Sequence, residues 1–129
     1  MRKTFLGILA ALGLLMAAMP VWAHHSFAAE YDSRQLITLK GVITAVDWTN
    51  PHMYVHIDVK DEGGKVTNWS LEGYPINTLK RTGFTRDLLK IGDEITITAY
   101  KAKDATFTGA GREVTFPDGS KKFLGPAGQ

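Results

Sequence analysis

Met53-Tyr54-Val55-His56-Ile57-Asp58-Val59-Lys60 alternates apolar and polar residues, and Val66-Thr67-Asn68-Trp69-Ser70-Leu71-Glu72 returns after Asp61-Glu62-Gly63-Gly64-Lys65. A period of two is the mark of a strand with one face buried, and the glycine-rich break between the runs is a hairpin loop. With residues 61–65 as the loop, Lys60 pairs with Val66. Asp58 then faces Asn68, His56 faces Ser70, Tyr54 faces Glu72 and His52 faces Tyr74. Apart from Val66 beside the loop, that side is polar or amphipathic. The other side gathers Met53, Val55, Ile57, Val59, Trp69 and Leu71. A slip of one residue would move every side chain to the opposite face, so the segregation specifies the register.

Outward from this hairpin the chain stays strand-like. Ile37 to Trp48 is long and β-branched, with Gly41 as the expected bulge, and Thr49-Asn50-Pro51 is a turn. After the hairpin, Tyr74-Pro75 leads into one or two helical turns over Ile76–Arg81 that end at Gly83. Thr85 to Lys90 adds another turn. Gly92-Asp93 opens Glu94 to Tyr100, where Ile95, Ile97 and Ala99 share a face. Arg112–Phe116 and Lys122–Leu124 flank a second hairpin signal, Pro117-Asp118-Gly119-Ser120. Three strands, a short helix and further strands predict an all-β fold, a small OB-like Greek-key barrel of about five strands. The barrel is expected over residues 36–124, with a polar lead-in over 24–35 and a loose tail over 125–129.

The first 23 residues read as a secretory signal peptide. Arg2 and Lys3 precede the apolar run Phe5–Met19, Pro20 breaks it, and Val21-Trp22-Ala23 suits a signal peptidase cut after Ala23. The run is shorter than the roughly 20 residues of a membrane span. Export to the periplasm is therefore expected, with no membrane insertion after cleavage. The whole chain has 15 basic and 13 acidic side chains. Loss of Arg2 and Lys3 brings them into balance, and a neutral domain lacks the basic field that nucleic acid requires. The absence of cysteine excludes disulfides, thiolate metal sites and cysteine nucleophiles.

The polar face of the hairpin, with Trp48, Tyr54, Glu72 and Tyr74 beside His52 and His56, is the candidate ligand surface. His52 and His56 cannot share one ion. Four residues apart on a strand, their Cα atoms lie about 13 Å apart. Met53 falls on the core face and is filler. A sharper feature arises at the cut. His24 would present its α-amine and imidazole Nδ1 as a chelating pair, and His25, His52 or His56 could complete a nitrogen set of the kind copper(II) favours. Glu72 is a possible partner behind the ligands. This terminus resembles the histidine brace of periplasmic copper chaperones and lytic polysaccharide monooxygenases, a resemblance confined to the terminal residues.

Ala23-His24-His25-Ser26-Phe27-Ala28-Ala29-Glu30-Tyr31-Asp32, Leu39-Lys40-Gly41-Val42-Ile43 and Asp47-Trp48-Thr49-Asn50-Pro51-His52 resemble a wider group, as do Trp69, Glu72, Gly92-Asp93, Tyr100-Lys101-Ala102 and Pro117-Asp118-Gly119. The group comprises small exported proteins of Gram-negative bacteria catalogued as a domain of unknown function. The resemblance implies a periplasmic address and an OB-like barrel, and brings no activity with it. A more distant likeness is to periplasmic OB-fold copper carriers, which bind copper(I) through His, Met and a capping Trp. Trp48, His52 and Met53 stand close together here, but those carriers use two methionines where only Met53 follows the leader.

Ser26, Ser33, Ser70 and Ser120 sit in no nucleophile motif, and no phosphate-cradling glycine loop occurs. A binding protein is expected rather than an enzyme. Its expected partner is copper, a small non-metal ligand on the strand-two and strand-three face, or another protein of the envelope.

Overall fold

A computed structural model of the chain describes residues 27–126. The order of elements is α1 (Phe27–Glu30), β1 (Tyr31–Asp47), β2 (Tyr54–Lys60), β3 (Val66–Glu72), α2 (Ile76–Arg81), a 3-10 turn (Arg86–Leu88), β4 (Glu94–Ala102), β5 (Thr108–Thr115) and β6 (Lys121–Phe123). Antiparallel pairs join β1 to β2 and to β4, β2 to β3, and β4 to β5. A short parallel pairing of Ser70–Glu72 with Thr108–Ala110 links β3 to β5 and closes the circuit. Five strands thus form an OB-like barrel, with α2 between the third and fourth, and β6 extends β5 as a sixth strand.

The hairpin register is the one its alternation requires: Lys60 pairs with Val66, Asp58 with Asn68, His56 with Ser70 and Tyr54 with Glu72. Met53, Val55, Ile57 and Leu71 are fully buried with Ile95, Ile97 and Val114 inside the barrel, and Leu79, Phe84, Leu89 and Leu124 close it. Each such aliphatic side chain contributes about 1.5–3 kcal/mol by leaving water. Pro75 opens α2, and Asn50 Oδ1, from the β1–β2 turn, accepts from Ile76 N–H at 3.4 Å. Gly83, with φ of 72°, reverses the chain where the sequence places the stop.

The structure differs from the sequence reading in three places. The β1–β2 register shifts between Ile43 and Ala45, so the bulge lies at Thr44 rather than Gly41. Gly41 instead permits a close approach of two strands. A Cβ there would lie 2.5 Å from Asp58 O, so the backbones meet too closely for a side chain. Second, β1 begins at Tyr31 instead of near Leu36. Tyr31 pairs with Ala102 and Leu36 with Tyr100, and the irregular stretch between them conceals the strand's alternation. Third, the expected loose tail is packed at its start. Gly125 is buried, and its N–H donates to Arg112 O at 3.3 Å.

Candidate functional site

One outward-facing row crosses four neighbouring strands. Tyr54 on β2 pairs with Glu72 on β3, Glu72 with Ala110 on β5, and Ala110 with Tyr100 on β4. The start of the described chain folds over this row. Phe27 meets Tyr100 edge-on, with ring centroids 5.3 Å apart, and Tyr31 at 5.5 Å. Tyr31, Tyr100 and Ala110 form a second small buried cluster, separate from the barrel core, with Phe27 and Ala102 packed on it. The short side chain of Ala110 leaves the space these rings fill.

Between α1 and the outer faces of β2 and β3 lies a pocket of about 340 Å³, lined by Phe27, Glu30, Tyr31, His52, Tyr54, Glu72, Gly73, Tyr74, Ala110 and Pro126. Glu72 is its hub. Tyr31 Oη–H donates to Glu72 Oε2, His52 Nδ1 lies 3.1 Å from Oε1, and Tyr54 stands opposite Glu72 across the β2–β3 pair. His52 Nδ1 is 3.1 Å from Gly73 O as well. Every polar contact of the His52 ring among the described residues is therefore made through Nδ1, which leaves Nε2 for a ligand. Burial, followed by the hydrogen bond to Glu72 and its charge, pushes the Tyr31 phenol well above its ordinary range. Burial also raises Tyr54, with the charges of Glu72 and Glu30 adding to it.

The sequence-derived candidates separate here. His52, Tyr54, Glu72 and Tyr74 come together in the pocket. His56 does not line it: its Nε2 bonds Asp47 Oδ2 at 2.8 Å, farther along the same face. Trp48 packs against the barrel core and is not a pocket wall. His24 and His25 lie outside the described residues. The sequence reading missed Phe27, Glu30, Tyr31, Gly73, Ala110 and Pro126. Phe27 and Tyr31 stand four apart, but Tyr31 opens β1 instead of continuing α1, so neither a helical nor a strand period marks them. No group of three metal-ligating His, Cys, Asp or Glu side chains occurs among the described residues.

Fold and site together define a small closed β-barrel with a pocket on its outer wall, roofed by α1 and the first residue of β1. The chain belongs to DUF6152, a family of unknown function whose model matches residues 11–112. The match takes in every pocket residue except Pro126. No curated protein and no solved structure matches the chain.

Proposed function

We propose that this protein is a periplasmic binding protein that takes up copper(II) at its mature N-terminus, with His52 as the ligand supplied by the barrel. One observation carries the reading: the contact of His52 Nδ1 with Glu72 at 3.1 Å. A metal-binding imidazole commonly donates its other ring N–H to a carboxylate, which holds the ring and raises its basicity. Phe27 and His52 line the same pocket, and three residues of chain can span up to about 10 Å, a length compatible with a site that joins His24 to His52. Cleavage after Ala23 would add an α-amine with a pKa of about 8, which copper(II) can deprotonate at neutral pH. Amine, His24 Nδ1 and His52 Nε2 then supply three nitrogens, with His25 as a fourth candidate.

The test is copper(II) titration under chelator competition of protein recovered after export, its N-terminus read by mass spectrometry. The control carries one alanine ahead of His24, which separates the amine from the imidazole. Tight one-to-one binding that the alanine destroys supports the reading. Equal, weak binding by both forms, or a mature chain that does not begin at His24, overturns it.

A second reading is favoured by the walls of the pocket. Four of its side chains are aromatic, and rings on the outer face of such a barrel are suited to a small non-metal ligand. It predicts binding that survives the added alanine and is lost when Tyr54 or Tyr74 is truncated.

A further inference from the structure

We infer that the outer pocket receives an organic ammonium group. The inference rests on the second reading above and names the class of ligand. Phe27, Tyr31, Tyr54 and Tyr74 supply rings, Glu30 and Glu72 supply carboxylates, and neither lysine nor arginine lines the space. The faces of aromatic rings carry the negative end of a quadrupole and attract a cation lying within about 6 Å of the centroid. A carboxylate or phosphate ligand would instead meet two acidic side chains, and the one basic group of the lining, His52, is already set against Glu72.

The character of the cation follows from the walls. Without the terminal nitrogens, a small metal ion would find few donors on these walls, most of whose surface is hydrocarbon. An alkylated ammonium carries its charge inside an apolar shell, so it satisfies rings and carboxylates together. The volume of about 340 Å³ suits a head group with a short chain, at the small end of ligand pockets. Tyr31 and Tyr54 both respond to the charges of Glu72 and Glu30, after burial, which places the two carboxylates around a common space.

The experiment uses the exported protein with the extra alanine ahead of His24, in EDTA, so that terminal copper plays no part. Amide chemical shifts are followed by NMR during titration with choline, with its neutral isostere 3,3-dimethylbutan-1-ol, and with acetate. Choline is expected to move the signals of Phe27, Tyr54, Glu72 and Tyr74, and to bind about tenfold more tightly than the isostere. Tyr54→Ala should weaken choline, whereas Tyr54→Phe, which keeps the ring, should retain it. Equal binding of choline and its isostere, or preference for acetate, overturns the ammonium inference and leaves the small-ligand reading standing. Failure of all three probes to move those signals at millimolar concentration overturns both.

Discussion

Tyr31 donates its phenolic hydrogen to Glu72 across 41 positions of sequence, and this bond ties the roof of the pocket to the barrel wall. Tyr31 is only 7% exposed and the Glu72 side chain 16%, so water replaces the bond poorly. Tyr31→Phe keeps the ring contacts with Phe27 but removes the donor. A hydrogen bond to a charged group is worth about 1.5–3 kcal/mol. The variant should lose stability of that order, read as a lower urea midpoint with an unchanged slope. An unchanged midpoint would show that the roof is not held by this bond.

The same residue sets an alkaline limit. The phenols of Tyr31 and Tyr54 are raised above their ordinary value of 10.0 by burial first and by acidic neighbours second. The folded chain therefore holds protons that the unfolded chain releases near pH 10. Their contribution to stability is complete below that value and is lost as pH rises through and beyond it. Urea unfolding between neutral pH and pH 11 should show a decline beginning near 10, reduced in Tyr31→Phe and Tyr54→Phe. A decline equally steep in those variants would place its origin elsewhere.

Copper binding should discriminate between the two histidines of β2 and the turn before it. His52→Ala removes the proposed barrel ligand and should lower copper(II) affinity by at least about tenfold, as should Glu72→Gln, which disturbs the group behind that ligand. His56, held by Asp47 away from the pocket, should be replaceable by alanine without effect. Chelator-competition titration of the three variants decides the matter. A larger loss in His56→Ala than in His52→Ala would reject this assignment.

Met53 is fully buried beside Gly73, where an added Cβ would lie 2.6 Å from the methionine sulfur. Met53→Leu conserves volume, so it should cost less than about 1.5 kcal/mol and leave copper affinity unchanged. Gly73→Ala should cost about 1–3 kcal/mol through overpacking. Thermal unfolding and copper titration of both test this. A copper affinity that fell with Met53→Leu would mean that sulfur serves as a ligand.

At Gly41 the obstacle is main chain, which cannot rotate aside as a side chain can. Gly41→Ala should destabilise the barrel by at least about 2 kcal/mol, because its Cβ would lie 2.5 Å from Asp58 O. A melting temperature equal to that of the parent protein would show that β1 and β2 can separate without loss.

The sequence alone determined what depends on neighbours along one strand or turn. Alternation of Met53, Val55 and Ile57 with Tyr54, His56 and Asp58 decided the hairpin register and sent the methionine inward, because a one-residue slip would bury the polar set. Pro75 and Gly83 bounded the helix for equally local reasons. The register also placed Tyr54 opposite Glu72, half of the eventual pocket. Tertiary structure alone decided the rest. Closure required a parallel pairing of only three residues between β3 and β5, too short to impose a pattern on either strand. Tyr31 joined the site through a fold-back whose irregular register leaves no periodic trace, and the same packing turned Trp48 onto the core and left His56 with Asp47. Periodicity reports which side of its own strand a residue occupies. Which distant residues share that side is decided when the barrel closes and Phe27 and Tyr31 leave water against Tyr100 and Ala110.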